Sequence, residues 1–238
     1  MNYALIFAGG TGQRMNSKAK PKQFLKMHGK PILIHTLEVF ENSPLIDAIC
    51  IVCLSGWEKE LETELSKYEI KKAKWIVKGG LTGHDSIYQG LNLLRNICLD
   101  DDIVLIHDGV RPLINEELIE KNIEAVEQYG NAITVEKAAE SVVEISENDE
   151  IVSVPPRAMM RTAKAPQSFR FKEIWEVHEL ARKDGFKSID SAHLLSVYRH
   201  KMHTVESTPY NIKIATPSDY YVFRALYEAQ ENSQIFGI

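Results

Sequence analysis

The chain has 238 residues, 44% of them hydrophobic and 26% charged, with a formal net charge of −5. That is enough for one large α/β domain, and the composition is that of a soluble globular chain, not a disordered or fibrous one. The negative balance gives no electrostatic reason to expect nucleic acid or an anionic membrane as a partner, and no apolar run approaches the ~18 residues of a membrane span.

Residues 4 to 8 (Ala-Leu-Ile-Phe-Ala) read as a buried strand, apolar without alternation. They break into a Gly-rich turn, Gly9-Gly10-Thr11-Gly12, followed by Arg14 and then Lys22 in Pro21-Lys22-Gln23. Met1-Asn2-Tyr3 has no basic region, so no signal peptide is expected. A helix is expected over 31–42, with Pro31 at its start and Leu33, Leu37 and Phe40 on one face. A buried strand follows over 48–54. It holds Cys50 and Cys53, whose spacing sends them to opposite faces and speaks against a metal or redox pair. With Cys98 they make an odd, sparse set of thiols that suits a reducing cytoplasm. Next come a charged helix over 57–68, a short strand at 75–77, a helix over 85–96 opened by Asp85-Ser86, a buried strand over 103–107 and a helix over 116–129. This β-α alternation predicts a doubly wound, mostly parallel sheet, which binds ligands at the carboxyl ends of its strands.

Residues 131–171 break the alternation. They read as short strands at 132–135, 141–145 and 150–154, with a turn at Glu147-Asn148-Asp149, forming an inserted β-arm. Helices over 172–184 (Ile174, Val177, Leu180, Ala181) and near 190–197, strands at 203–206 and 211–214, and a final helix from 218 to 231 complete the chain. Nothing resembles a linker, repeat or low-complexity tract, so a single domain over 1–238 with an arm at 131–171 is expected.

Four places carry chemistry. The first turn suits phosphate: its glycines allow positive φ and close approach, successive N–H groups form an anion nest, and Arg14 and Lys22 add charge. Neither the G-x-x-x-x-G-K-[ST] loop nor the G-x-G-x-x-G fingerprint occurs there. In Ile106-His107-Asp108-Gly109-Val110-Arg111-Pro112, Asp108 lies where a metal-bound triphosphate would sit and Arg111 can fork onto phosphate; alternatively, Asp108 caps the next turn and pairs with Arg111. His107 reads as a satisfied, semi-buried histidine rather than a base. Gly79-Gly80 lead to a helix start at which Ser86 could bond a pyrimidine carbonyl, although a helix start without a ligand would look similar. Lys213 is a lone cation in Asn211-Ile212-Lys213-Ile214.

The first stretch resembles the A-G-G-x-G-x-R-M…P-K signature of nucleotidyltransferases that activate sugar and alditol phosphates. With Gly79-Gly80, Ser86, His107-Asp108-Gly109-Val110-Arg111-Pro112, Ala165-Pro166-Gln167-Ser168-Phe169, Ile189-Asp190 and Asn211-Ile212-Lys213-Ile214 in order, nearly the whole chain resembles the cytidylyltransferases that make CDP-alditols. The resemblance implies a Rossmann-like nucleotidyltransferase fold, a homodimer, Mg²⁺, and transfer of CMP from CTP to an alditol phosphate. It places Ala8, Gly9, Gly10, Thr11, Gly12, Gly79, Gly80 and Ser86 around the nucleotide, and has Arg14 hold the triphosphate. Lys22 and Lys213 act on the reacting α-phosphate, and Asp108 and Arg111 serve the metal-nucleotide and the substrate. Ser141 stands where a hydroxyl residue is expected, and Arg157 matches an arm residue that reaches the partner's alditol phosphate. The Ala-Gly-Gly-x-Gly turn and the segment from Gly29 to Thr36 look more like the D-ribitol 5-phosphate branch than the 2-C-methyl-D-erythritol 4-phosphate branch. A non-catalytic nucleotide-binding α/β protein is the alternative of a different class. The chain departs from the family pattern at Leu81-Thr82-Gly83, where an acidic residue and an Arg are usual, at Ala165 in place of Thr, and at Ile189 in place of Thr.

Overall fold

The computed structural model describes residues 1–10 and 20–236. In chain order its elements are β1 (Asn2–Ala8), β2 (Lys26–Met27), β3 (Lys30–Pro31), α1 (Ile32–Asn42), β4 (Ala48–Cys53), α2 (Glu58–Lys67), β5 (Ala73–Lys78), α3 (Gly83–Leu94), β6 (Ile103–Asp108), α4 (Glu116–Tyr129), β7 (Asn131–Lys137), β8 (Glu144–Ile145), β9 (Ile151–Ser153), β10 (Arg161–Arg170), α5 (Phe171–Asp184), α6 (Ser191–Val197), β11 (Thr204–Glu206) and α7 (Pro217–Phe236). A seven-stranded sheet runs in the order β11-β7-β10-β6-β1-β4-β5. β1 pairs in parallel with both β4 and β6, and β5 extends the parallel half. β10 is antiparallel to both of its neighbours. The doubly wound, mostly parallel sheet expected above is therefore present, with one reversed strand.

Helices cover both faces, and strand alternation sorts the core between them. Ala4 and Ile6 of β1, with Ile49 and Ile51 of β4, pack against Leu33, Leu37 and Phe40 of α1 and Ile119 and Val126 of α4. Leu5, Cys50 and Val52 face the other way, against Leu91 and Leu94 of α3 and Ile174 and Val177 of α5. Cys50 and Cys53 thus do lie on opposite faces, and burial pushes both thiols up to about 12. Gly90 lets α3 seat on the sheet: a methyl group there would collide with the side chains of Leu5 and Val52. Leu180, expected on the buried face of α5, points outward at 44% exposure.

The segment 131–171 differs most from expectation. Its ends are not arm: β7 and β10 are inner strands of the main sheet, so only residues 138–160 project as a hairpin. β10 hides from pattern reading because it buries polar Gln167 and Ser168 and includes Pro166. The Ser168 hydroxyl donates to Asn122 Oδ1 at 2.9 Å, and the Asn122 amide donates to the Leu118 carbonyl at 2.9 Å, so burial leaves these groups satisfied. Residues 211–214, expected as a strand, join no sheet. This segment crosses the carboxyl end of β6, where Ile214 N–H donates to the Val110 carbonyl at 3.0 Å, and the side chains of Lys22, Arg111 and Asn211 add further anchors.

Candidate active site

The carboxyl ends of β1, β4, β5 and β6 open into a pocket of about 670 Å³, lined by Ala8, Gly9, Gly10, Lys22, Gly79, Gly80, Ser86, Asp108 and Lys213, among others. A strand order that reverses at β1 makes a crevice at this point. Parts of all four sequence features therefore share one wall.

Two glycine turns form its floor, for a reason other than the one expected. Left-handed backbone occurs among the described glycines at Gly29, Gly56, Gly130 and Gly185, not at Gly9 or Gly10. Close approach is what requires glycine here. A Cβ on Gly9 would lie 3.0 Å from Ser86 Oγ and 3.3 Å from Gly79 Cα, and one on Gly79 would lie 3.1 Å from both the Cys53 carbonyl and Gly9 Cα. Ser86 braces the second turn. Its hydroxyl donates to the Thr82 carbonyl at 2.9 Å and accepts from Gly80 N–H at 3.1 Å. The hydroxyl expected to meet a base braces this turn at the pocket wall and is 2% exposed. Thr82, not Asp85-Ser86, caps α3: its hydroxyl accepts from Asp85 N–H at 3.1 Å, and the Asp85 carboxylate accepts from Thr82 N–H at 3.2 Å.

The cations arrive from opposite ends of the chain. Lys22 lies in a short 3-10 turn, Lys22–Phe24, and its ammonium donates to the Ile214 carbonyl at 3.0 Å. Gln23 fixes that turn by donating to the carbonyls of Ala8 at 2.6 Å and Gly10 at 3.2 Å. Lys213 Nζ lies 2.5 Å from Asp108 Oδ1 and 5.9 Å from the centre of the Phe7 ring. Arg111 Nε donates to Asp108 Oδ2 at 2.7 Å, and its Nη1 donates to the Asn211 carbonyl at 3.0 Å. The pairing of Asp108 with Arg111 thus exists, inside the pocket rather than instead of it. Asn211 completes the frame: its amide donates to the Ala165 carbonyl at 2.7 Å and to Ser207 Oγ at 3.1 Å. Gln23 and Asn211 are positioning residues that sequence reading passed over; their places beside Lys22 and Lys213 in P-K-Q and N-I-K were the available signal.

Burial opposes the charge on Asp108, but Lys213 and Arg111 outweigh it and hold its carboxyl at about 2. It is therefore an anion at any ordinary pH. His107, fully buried against Phe40, has its pKa pushed down to about 3 by desolvation and is neutral. It is more deeply buried than expected, and its Nδ1 has no hydrogen-bond partner among the described residues.

A second pocket, of about 280 Å³, shares Phe7, Gly83, Asp108 and Lys213 with the first and continues past Arg111, Lys164, Gln167, Asp190 and Ser191. Sequence reading missed Lys164 altogether. Ser141 and Arg157 are exposed on the hairpin, where Arg157 Nη1 donates to the Ala139 carbonyl at 3.3 Å; neither lines either of these two pockets. Thr11, Gly12 and Arg14 lie outside the described residues.

Two adjoining pockets meeting at a lysine and a carboxylate, with an arginine in the second and bare glycine turns flooring the first, on an open α/β sheet, define a nucleotidyltransferase-type enzyme. Comparison with known proteins agrees. Residues 3–228 match the family described as IspD, 2-C-methyl-D-erythritol 4-phosphate cytidylyltransferase, and the chain belongs to that family. It is a cytidylyltransferase. It is 46% identical, over 100% of both chains, to ribitol-5-phosphate cytidylyltransferases of Streptococcus agalactiae serotype V and Vibrio parahaemolyticus. It is 35% identical, over 93% of this chain and 96% of the relative, to the 2-C-methyl-D-erythritol 4-phosphate cytidylyltransferase of Thermosipho melanesiensis. The solved structure of 4-diphosphocytidyl-2C-methyl-D-erythritol synthase from Anaerococcus prevotii superposes with a TM-score of 0.82 at 28% identity, covering 95% of this chain and 96% of that one. Among the described residues no helix is long and apolar enough to cross a membrane.

Proposed function

We propose that this enzyme transfers CMP from CTP to D-ribitol 5-phosphate, giving CDP-ribitol and pyrophosphate. One observation carries the reaction: Lys22 and Lys213 line a single pocket whose second chamber has room for an acceptor. Full-length identity to enzymes named for ribitol 5-phosphate supports the acceptor, against the weaker match to one named for methylerythritol 4-phosphate.

A phosphate oxygen of the acceptor attacks the α-phosphorus of CTP, the bond to the bridging oxygen breaks, and pyrophosphate leaves with the electron pair. The nucleophile is already anionic, so no general base is required, and buried His107 supplies none. The obstacle is bringing two anions together and holding the charge that builds on the α-phosphate. Lys213, where the chambers meet, and Lys22 beside it answer both needs, by position and by electrostatics. The glycine turns leave the backbone open to the nucleotide, with Arg14 as a further triphosphate contact.

Asp108 suits Mg²⁺. Among the described residues no group of three His, Cys, Asp or Glu could hold a metal ion. A single ionised carboxylate in the pocket fits an ion bound through one protein ligand plus substrate phosphates. When bound, the ion would supply charge neutralisation across the phosphates.

The hairpin at 138–160 carries exposed Val142, Val143, Ile145, Ile151, Val152, Val154 and Met159. A two-stranded arm with that much bare apolar surface is marginal alone, which supports a two-fold homodimer in which Arg157 and Ser141 enter the neighbour's acceptor chamber. Three unpaired thiols support a reducing, cytoplasmic setting. The test is pyrophosphate release from CTP and Mg²⁺ against D-ribitol 5-phosphate, 2-C-methyl-D-erythritol 4-phosphate and sn-glycerol 3-phosphate. Ribitol 5-phosphate should give the highest kcat/KM. A preference for methylerythritol 4-phosphate would overturn the acceptor, and binding of CTP without turnover on any acceptor would overturn the reaction.

A further inference from the structure

The second chamber contains a cation, Lys164, that the transfer chemistry does not require. Lys164 lies on β10 at a break in register: Ala163 faces Val135 and Gln167 faces Ile133, so Lys164, Ala165 and Pro166 share Thr134 alone. Extra residues on one strand make a bulge, which bends the strand and re-aims side chains, often beside an active site. Two side chains fasten this bulge. Asn211 donates to the Ala165 carbonyl at 2.7 Å, and Gln167 donates to the Lys164 carbonyl at 3.3 Å while its Oε1 accepts from Ala192 N–H at 2.9 Å. Lys164 thereby lines the chamber with Arg111, Gln167, Asp190 and Ser191. Its side chain is only 11% exposed, and its ammonium lies 2.5 Å from Glu136 Oε2 on β7.

That partner decides what Lys164 can read. Lys213 and Arg111 share the single carboxylate of Asp108 and keep a net positive charge for phosphate, whereas Lys164 and Glu136 cancel and offer an incoming anion no net attraction. A neutral ammonium-carboxylate pair suits hydroxyl groups, which accept from the one and donate to the other. The acceptor's phosphate has to lie at the Lys213 end, where the chambers meet and the α-phosphate is within reach. The rest of the acceptor therefore extends along the bulge, past Lys164. We propose that Lys164, pinned by Glu136, is a specificity-determining residue that donates to a hydroxyl of the acceptor's polyol chain and selects a long alditol phosphate over a short one. This rests on the alditol phosphate reading above.

The test uses the full-length enzyme and Lys164→Met, similar in length but uncharged. The KM for D-ribitol 5-phosphate should rise about 10- to 100-fold, the loss expected for one charge-assisted hydrogen bond. The KM for CTP and the kcat at saturating acceptor should stay within about twofold, a split that damage to packing would not produce. Inhibition by sn-glycerol 3-phosphate, which carries the phosphate but not the far hydroxyls, should keep its wild-type Ki. Glu136→Gln leaves the chamber lining intact and releases the ammonium, so it should raise the same KM and spare the same Ki. It also serves if Lys164→Met does not fold. A wild-type acceptor KM in the folded variants, or an equal loss for glycerol phosphate, would overturn the proposal. A wild-type enzyme inert toward every alditol phosphate would instead overturn the reaction on which it rests.

Discussion

Asp108 ties the site to the stability of the fold, and Asp108→Asn measures that tie. The carboxylate is 5% exposed and accepts from both Arg111 and Lys213. Its folded pKa of about 2, against an ordinary 3.8, corresponds to about 2 kcal/mol at 1.36 kcal/mol per unit. Removing one partner of a buried pair can cost about 3–5 kcal/mol, but here Arg111 keeps the Asn211 carbonyl and Lys213 is 39% exposed, so the lower range applies. We expect Asp108→Asn to lose about 2–3 kcal/mol at pH 7, or about 4–12 °C in Tm for a chain of this size. The sign with pH follows from the depressed pKa. This contribution is fully present above the unfolded value and is lost as pH falls through the folded one, so the gap between variant and wild type should close between about pH 4 and pH 2. Urea unfolding at a series of pH values, followed by circular dichroism, reads the gap directly. A variant as stable as wild type at pH 7, or a gap that does not change with pH, would refute the reasoning.

Other expectations concern the chemistry and the assembly. Lys22→Ala and Lys213→Ala should each lower turnover by about 10²–10³, the usual loss for one transition-state charge partner; Lys22→Ala should leave Tm nearly unchanged, whereas Lys213→Ala should lower it, since buried Asp108 keeps only Arg111, and normal activity in the folded fraction of either variant would contradict this. EDTA should abolish pyrophosphate release and added Mg²⁺ restore it, while full turnover without a divalent ion would remove Asp108's proposed metal role. Gly79→Ala should weaken CTP binding, because its new Cβ would press on Gly9 and the Cys53 carbonyl and spread the two turns; titration of CTP by calorimetry reads the change. Co-refolding Lys22→Ala with Arg157→Ala should restore activity to part of the population, since each heterodimer would hold one intact composite site. Heterodimers as inactive as their parents would place Arg157 in its own subunit or outside the reaction.

Local pattern was enough for much of this protein. Apolar runs without alternation announced β1, β4 and β6, helical spacing announced α1, α3 and α4, and their order announced a parallel sheet, because each signal depends on neighbours within a few residues. The motifs also carried Lys22, Asp108 and Lys213 to one pocket and Arg111 to its neighbour, since a doubly wound sheet brings its strand ends together wherever they fall in the chain. What local pattern could not supply were choices made between distant segments. β10 takes its place through pairing with β6 and β7, and its polar residues read as loop until Asn122 satisfies Ser168. The extended stretch at 211–214 looked like a strand but found no sheet partner, and is held by Asn211 and Arg111 instead. Ser86 offered a hydroxyl to a ligand, and only the folded turn shows that it also bonds Gly80 and Thr82. Lys164 was one surface-type residue among many in the sequence; only a bulge across a register break, with Glu136 beside it, turns that side chain into the second pocket.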